Sequence, residues 1–350
     1  MNIYSMIQGS KGRNVVHACM IRHLNFGPAK HEEAAIYAVN QRIPNVCRIV
    51  GVAKQRNNPW ASVGDKIPFA PNIIVFYQDS EENVMIKLVA TDIDGTLLDE
   101  GTDRLNPELF DIVRDLKEKG IIFAAASGRQ YASIRRLFDP VAHDMIFIAE
   151  NGAYVVCRDV DMLEVMMDRT KAAELVQEIR RMKGCEVAVA AKDAMYIERA
   201  DTGLYDLLVN GYHNQVKVVE DVLKEDIPMI KVSIYCRDGV DGISQGVKSR
   251  WEGTFRTMLA GRIWIDFADY SADKGKAIQS IQKSLLIDRS ETMAFGDNGN
   301  DLGMLANAEE SYAIGNAREE VKKAAKHIAD TSRNDGVLKV LRKLVKTDGN

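Results

Sequence analysis

The stretch MIKLVATDIDGTLL, residues 85–98, determines how the rest of the chain is interpreted. It begins with an apolar run that only Lys87 interrupts, as expected for a strand buried inside a parallel sheet. The run ends at Asp92, and Gly95 then allows a sharp turn away from the strand. In open α/β sheets, ligands bind at the edge where the strands end. Asp92 is therefore the first candidate for a functional residue.

Strand-like and helix-like segments alternate around this stretch. A helix is predicted directly after Asn106, its candidate N-cap, and Gly120 ends it. Further apolar strands are predicted at residues 121–126, 145–149 and 292–295, and further helices after Lys274 and Asn300. This alternation predicts an α/β fold with a doubly wound, Rossmann-like parallel sheet.

Changes in pattern along the chain predict its division into domains. Residues 85–167 and 259–350 are expected to form the two parts of the α/β core, with residues 168–258 inserted between them as a smaller α+β domain. Residues 1–84 read as an atypical N-terminal extension that is weakly structured or forms a small extra segment. An added domain, an interaction arm and an extension before a natural start at Met85 are the alternatives. A helix at residues 31–40 and a strand at residues 72–78 are the elements predicted there, with a loop at 55–71 and a polar joint at 79–83.

Composition excludes several classes of protein. The formal net charge of −4 lacks the basic excess that broad phosphate-backbone binding needs, so no nucleic-acid partner is expected. Five scattered cysteines, none in a Cys-x-x-Cys pair, favour reduced thiols in a cytoplasmic protein. No apolar run reaches the ~18 residues that would span a bilayer, so no membrane partner is expected.

The candidate chemistry starts with the two carboxylates of Asp92 and Asp94. Spaced two residues apart after a strand, they can converge on one hard cation such as Mg²⁺. An ionised aspartate can also accept a phosphoryl group. Thr96 adds a hydroxyl and a backbone amide. The competing interpretation is a hydrophilic turn with a capping aspartate.

Three further segments extend this site. Ser127 and Gly128, at a predicted strand-to-helix turn, offer a hydroxyl and free amides to a phosphate, although a plain N-cap is the alternative. Lys274 begins a predicted helix and can act as a point charge on phosphate. Considered alone, it would be a solvated surface lysine.

The last segment is GDNGND, residues 296–301, directly after an apolar strand. Asp297 is a candidate third metal ligand. Asp301 is expected either to hold a metal-bound water or to orient Lys274, and Asn300 either to anchor the loop or to contact phosphate. An Asn/Gly turn with local hydrogen bonds is the alternative.

The order DIDGTLL, SGR, KG and GDNGND, with ENGA at residues 150–153, resembles the haloacid-dehalogenase superfamily. More narrowly, the chain looks like the Cof-type sugar-phosphatase branch with a large C2-type cap, and NAREEVKKAA and NDGV look like that branch's C-terminal signature. The resemblance covers roughly residues 85–350. Such proteins usually begin near Met85, so residues 1–84 depart from the pattern.

The resemblance implies a Mg²⁺-dependent phosphatase that acts through an aspartyl-phosphate intermediate on a small phosphorylated metabolite. Asp92 would be the nucleophile and Asp94 the general acid and base. Asp92, Asp297 and the backbone carbonyl of Asp94 would bind Mg²⁺. The phosphate-binding residues would be Thr96, Ser127, Gly128, Lys274 and Asn300, with Asp301 in support.

Other functions remain open on the sequence. A phosphotransferase or phosphomutase would share the aspartyl-phosphate, a binding module would make the chemistry incidental, and residues 1–84 could bind nucleic acid. In the inserted domain, Lys231 and Arg199 are candidates for contacts with the substrate, and solvated positions are the simpler interpretation. The substrate itself and the oligomeric state do not follow from these patterns.

Overall fold

The structure is a computed structural model. It describes residues 85–99, 102 and 104–346 with their side chains, and the backbone of residues 2–6, 16–22, 49–54 and 73–78. The chain separates into two compact units, Met1–Val84 and Met85–Asn350.

The first unit contains a small antiparallel sheet. Its strands are β1 (Asn2–Met6), β2 (Val16–Arg22), β3 (Ile49–Lys54) and β4 (Ile73–Gln78), in the spatial order β1-β2-β4-β3. Strand β4 confirms the strand predicted at residues 72–78. The predicted helix at 31–40, loop at 55–71 and joint at 79–83 lie outside the described residues. The role of this segment stays a prediction.

The second unit contains the described helices and the other described strands. The strands are β5 (Leu88–Asp92), β6 (Ile122–Ala126), β7 (Met145–Ala149), β8 (Tyr154–Cys157), β9 (Val160–Glu164), β10 (Cys185–Ala190), β11 (Met195–Ile197), β12 (Val216–Val218), β13 (Lys231–Cys236), β14 (Arg256–Leu259), β15 (Trp264–Ala268), β16 (Thr292–Gly296), β17 (Glu310–Ala313) and β18 (His327–Ile328). The helices are α1 (Glu108–Glu118), α2 (Tyr131–Leu137), α3 (Arg169–Ile179), α4 (Gly203–Asp206), α5 (Asp241–Trp251), α6 (Lys274–Leu285), α7 (Leu302–Ala306), α8 (Glu319–Ala324) and α9 (Gly336–Lys346). Within the described ranges, no helix has the length and apolar character needed to cross a membrane.

The eight-stranded sheet of the core has the order β18-β17-β16-β5-β6-β7-β8-β9. Strands β18 to β7 are parallel, and the hairpin β8–β9 adds two antiparallel strands at one edge. Strand β5 lies between β16 and β6. The three strands that carry the acidic and serine motifs are therefore neighbours, and their carboxyl ends share one edge.

Helices cover both faces of this sheet because residues along a strand alternate in direction. Leu88 of β5 packs with Ile278 of α6 on one face. Val89 packs with Leu109 of α1 on the other. Asn106 accepts a hydrogen bond from the amide of Glu108 at 3.1 Å, as expected for a residue that caps α1. The predicted α/β fold is confirmed.

A second sheet of six strands lies in the inserted region, in the order β12-β11-β10-β13-β15-β14. Helices α3 and α5 pack against one of its faces. The sheet continues to Ala268, beyond the predicted end of the insertion at residue 258. This extension arises because β15 pairs with β13, about thirty residues away, and a local pattern does not show such pairing. The division of the chain into domains stays a prediction.

The expectation that the cysteines are reduced thiols is wrong for two of them. Cys185 and Cys236 face each other in the antiparallel pair β10–β13, with Cα atoms 4.3 Å apart, and form a disulfide. The two residues are 51 positions apart, so only the register of the two strands brings them together. Cys157 is a free thiol.

Reduction of this disulfide is expected to destabilise the six-stranded sheet. A cross-link that closes a loop of 51 positions limits the unfolded chain, and such loops contribute roughly 3–4 kcal/mol. Urea unfolding with and without dithiothreitol measures the difference, and Cys185→Ser should reproduce it. Cys157→Ser is the control for a thiol change without a cross-link. Equal unfolding midpoints under both conditions would contradict this prediction.

Candidate active site

Asp92 is the last residue of β5 and lies at the centre of the shared edge. It is 6% exposed. Gly95 follows at φ 85°, and a Cβ at Gly95 would lie 2.5 Å from Oδ2 of Asp297. Only glycine satisfies both conditions, so the turn brings the loop after β5 against the loop after β16.

The fully buried Lys274 connects Asp92 with Asp301. Its ammonium lies 2.5 Å from Oδ1 of Asp92 and 2.7 Å from Oδ1 of Asp301. Burial alone would lower the pKa of Lys274, but Asp301 and Asp92 hold it above its ordinary value. Lys274 is therefore charged, and it fixes the direction of the Asp92 carboxylate. Its position at the first turn of α6 follows from Asp273, whose side chain accepts hydrogen bonds from the amides of Gly275 and Lys276.

Asp92, Asp297 and Asp301 form a group of three carboxylates with oxygen atoms within 4.8 Å of one another. Burial raises the pKa of Asp92 well above its ordinary value although Lys274 opposes the shift, and burial also raises the pKa of Asp297. One lysine does not neutralise three carboxylates, so a divalent cation would relieve their repulsion. Carboxylate oxygens are the ligands that Mg²⁺ prefers. The residues therefore fit a hard divalent metal.

The hydrogen bonds distinguish these three carboxylates. Oδ2 of Asp301 accepts from the amides of Asp297 and Asn298, both at 3.0 Å, while its Oδ1 binds Lys274. Oδ1 of Asp297 accepts from the Thr96 hydroxyl at 2.9 Å. Asp301 is thus occupied in orienting Lys274 and the loop, and Asp92 and Asp297 keep oxygens for a cation. In this structure the Thr96 hydroxyl supports Asp297.

Asp94 points away from the carboxylate group and towards the 127–129 loop. Its Oδ2 lies 2.9 Å from Nε of Arg129, a second guanidinium nitrogen contacts Oδ1, and Oγ of Ser127 lies 3.5 Å from Oδ2. This two-pronged ion pair fixes the direction of the Asp94 carboxylate. Arg129 was missed as a site residue, although its place in SGR was a signal.

The turn Glu150–Gly152, after β7, supports the 127–129 loop. Glu150 and Asn151 have left-handed backbone angles, with φ of 50° and 56°. Nδ2 of Asn300 donates to Oδ1 of Asn151 at 2.9 Å, so Asn300 anchors its loop to this turn. Gly128 packs against the same Asn151 side chain. Asn151 was also missed, and the quoted ENGA segment contains it.

The two candidates in the inserted domain lie in different surroundings. Arg199 is exposed and pairs with Asp201, which is consistent with a solvated position. Lys231 is buried and contacts Gly128 and Glu150 instead of solvent. The simpler interpretation of Lys231 as a solvated residue is therefore wrong.

Known proteins are similar to this chain in sequence and in fold. The model of the haloacid dehalogenase-like hydrolase family matches residues 89–341. The 5-amino-6-(5-phospho-D-ribitylamino)uracil phosphatase YbjI of Escherichia coli (strain K12) is 29% identical over 264 residues, which cover 75% of this chain and 97% of that protein.

Two solved structures are also similar. A crystal structure from Eubacterium rectale is 32% identical, has a TM-score of 0.69, and matches over 74% of this chain and 99% of its own. A haloalkanoate-superfamily phosphatase from Bacteroides thetaiotaomicron is 27% identical with a TM-score of 0.62, over 76% of this chain and 97% of its own.

The chain belongs to the haloacid dehalogenase-like hydrolase family. It is an enzyme of the phosphatase class, and the resemblance to the Cof-type branch is confirmed. Residues 1–88 lie outside the family match.

Proposed function

We propose that this protein is a Mg²⁺-dependent phosphatase that hydrolyses a phosphomonoester of a small metabolite, with Asp92 as the nucleophile. The observation that carries the proposal is the Asp92 carboxylate, which the buried Lys274 ammonium fixes from 2.5 Å at the end of β5. In-line attack on phosphorus requires a nucleophile held in one direction. A cytoplasmic location stays a prediction.

The reaction has two displacements. An Asp92 oxygen attacks phosphorus while Asp94 donates its proton to the departing alkoxide, which leaves an aspartyl-phosphate and a free alcohol. Asp94 then removes a proton from a water molecule, which attacks the same phosphorus and releases inorganic phosphate and the Asp92 carboxylate. Arg129 and Ser127 contact the Asp94 carboxylate and fix its position, and the Arg129 contact would have to open for Asp94 to carry a proton.

Asp92, Asp297 and the backbone carbonyl of Asp94 would hold Mg²⁺. When bound, the ion supplies positive charge that offsets the negative charge on the phosphoryl group. Lys274, the Ser127 hydroxyl and the amides of the 127–129 loop would stabilise the same charge. Asn300 acts indirectly, because it holds Asn151 in place. Asp301 likewise holds Lys274 in place.

The six-stranded sheet with α3 and α5 would act as the cap that covers the site and excludes water. It contacts the core beside the 127–129 loop. The amide of Gln215 donates to Oε1 of Gln130 at 3.1 Å, and Oγ of Ser133 donates to the carbonyl of Tyr212 at 2.9 Å. The cap would comprise residues 168–268 in place of the predicted 168–258, because β15, which ends at Ala268, pairs with β13.

A panel of phosphomonoesters assayed for phosphate release with and without Mg²⁺ tests the proposal. The panel includes sugar phosphates, pyridoxal phosphate, nucleotides and the phosphorylated ribitylaminouracil named for the Escherichia coli relative. An added sugar acceptor separates a phosphatase from a phosphotransferase, because only the latter would convert the acceptor to a phosphorylated product. Absence of turnover on every panel member would contradict the proposal.

Removal of divalent metal is expected to abolish phosphate release, and Mg²⁺ should restore it. At 100 times its Kd the ion should also stabilise the fold by about 2.7 kcal/mol. Phosphate release and thermal unfolding after treatment with EDTA measure the two effects. Asp297→Asn should need more Mg²⁺ for half-maximal activity. Full activity in metal-free buffer would contradict this prediction.

A further inference from the structure

Lys231 is a buried charged residue that no step of the proposed reaction uses. It is the first residue of β13, in the middle of the six-stranded sheet, and is 7% exposed. Its ammonium lies 2.5 Å from Oε2 of Glu150, 3.4 Å from Oδ2 of Asp266 and 3.4 Å from the carbonyl oxygen of Gly128. Asp266 belongs to the same sheet as Lys231, whereas Glu150 and Gly128 belong to the core.

The environment of Lys231 determines its charge. Burial alone would lower its pKa, but Asp266 and Glu150 raise it above its ordinary value. The hydroxyl of Ser233, the register partner of Asp266, donates to Oδ1 of Asp266 at 2.7 Å. Within the described residues neither carboxylate oxygen of Glu150 has a hydrogen-bond partner, so this buried carboxylate depends on its ion pair with Lys231. A buried carboxylate without that partner would be strongly disfavoured.

The contacts of this pair converge on the 127–129 loop. The carbonyl of Ser127 accepts from the amide of Asn151 at 2.9 Å, and the carbonyl of Arg129 accepts from the amide of Glu150 at 3.1 Å. The carbonyl of Gly128, between them, accepts from Lys231. All three carbonyls of the loop are thus held by Lys231 and by the turn that it binds. With its carbonyls held on one side, the loop can present its amides and the Ser127 hydroxyl to a phosphate on the other.

We propose that Lys231 is a positioning residue that holds the 127–129 phosphate loop from the second sheet, through Gly128 and through its ion pair with Glu150. The contacts by which the second sheet packs on the core then also place the 127–129 loop. The inference rests on the proposed function, because it assigns phosphate binding to this loop. Lys231 contacts no reacting atom in this assignment.

The test uses Lys231→Met, Glu150→Gln and the double variant in the full-length chain. Ser133→Ala is the matched control, because it removes a buried hydrogen bond between the same two parts without contacting the loop carbonyls. For each protein we would measure kcat, KM, the inhibition constant of inorganic phosphate, the Mg²⁺ concentration for half-maximal activity, and thermal unfolding.

Misplacement of a phosphate loop by about 1 Å can lower a rate by about 100-fold. We therefore expect Lys231→Met to lower kcat by about 100-fold and to weaken inhibition by phosphate by about tenfold, with the Mg²⁺ requirement changed by less than about twofold. The double variant should lose less than the product of the two single losses, because the residues form one pair. Ser133→Ala should stay within about twofold of the wild type in kcat.

Folded variants whose kcat and phosphate inhibition match the wild type would overturn the inference, even if their melting temperatures fall, because Lys231 would then only brace the fold. If Lys231→Met does not fold, the Glu150→Gln variant provides the test. Glutamine has nearly the shape of glutamate, and Lys231 keeps its contact with Asp266 in this variant. A wild-type chain that turns over no panel member rejects the proposed function separately. Calorimetric binding of inorganic phosphate to the same variants would then still test the inference.

Discussion

Replacing Asp92 with asparagine is expected to abolish phosphate release. The two side chains have nearly the same shape, so the asparagine can still fill the space at the end of β5, while Lys274 keeps its partner Asp301 at 2.7 Å. A neutral amide oxygen is a poor nucleophile, and the variant also loses a metal ligand. Removing a covalent nucleophile lowers kcat by about 10⁴-fold or more. Phosphate release at saturating Mg²⁺ on the preferred panel member measures the loss.

The control for this variant is Asp111→Asn, which makes the same chemical change on the exposed surface of α1. It should keep the wild-type rate, because in the described part of the chain Asp111 pairs with Arg114 near the surface, away from the candidate site. Circular dichroism and thermal unfolding establish that Asp92→Asn is folded. A folded Asp92→Asn protein with the wild-type rate would disprove the nucleophile assignment, even though the family membership would stand.

Replacing Lys274 with methionine is expected to damage both stability and activity. Its side chain is fully buried, and it is the cation that contacts Asp92 and Asp301. Without it, the buried carboxylates repel one another, and breaking such a pair lowers the free energy of unfolding by about 3–5 kcal/mol. Loss of the charge beside phosphate should also lower kcat by at least about 100-fold. Urea unfolding and phosphate release measure the two effects.

Lys276→Met is the matched control for Lys274, because the two residues lie in the same helical turn. Among the residues that the structure describes, the Lys276 ammonium contacts the carbonyl of Tyr270, at 3.1 Å near the surface. This control should stay within about 0.5 kcal/mol of the wild type. A Lys274→Met protein with wild-type stability and rate would show that the buried contacts do not matter for either property.

Local sequence patterns predicted most strands and helices of the core and several residues of the candidate active site. The apolar run before Asp92 and the one before Asp297 became β5 and β16, which are adjacent in the sheet. Two features were not foreseen because they depend on distant pairing. The disulfide Cys185–Cys236 needs the register of β10 and β13, and the continuation of the second sheet to Ala268 needs β15 to pair with β13.

Within the site, the structure selected among alternatives that the residue types left open. Asp301 orients Lys274 with one oxygen and two backbone amides with the other. Asn300 anchors a loop through Asn151. Both functions depend on which loops face each other across the end of the sheet. A sequence motif shows which residues are present and how they are spaced, but it does not show which side chain or amide each residue contacts in the folded protein.

The class of the protein could be predicted from the amino-acid sequence alone, because buried strands and the carboxylates that follow them are local patterns of apolar and acidic residues. The tertiary structure decided the pairings: Lys274 with Asp92 and Asp301, Arg129 with Asp94, and Lys231 with Glu150. Each pair joins residues far apart in the chain or on separate loops. The pairs of Lys274 and Lys231 are buried, and packing that excludes water strengthens them, which only the assembled sheets provide. The Arg129–Asp94 pair is partly exposed and depends on the two loops facing each other.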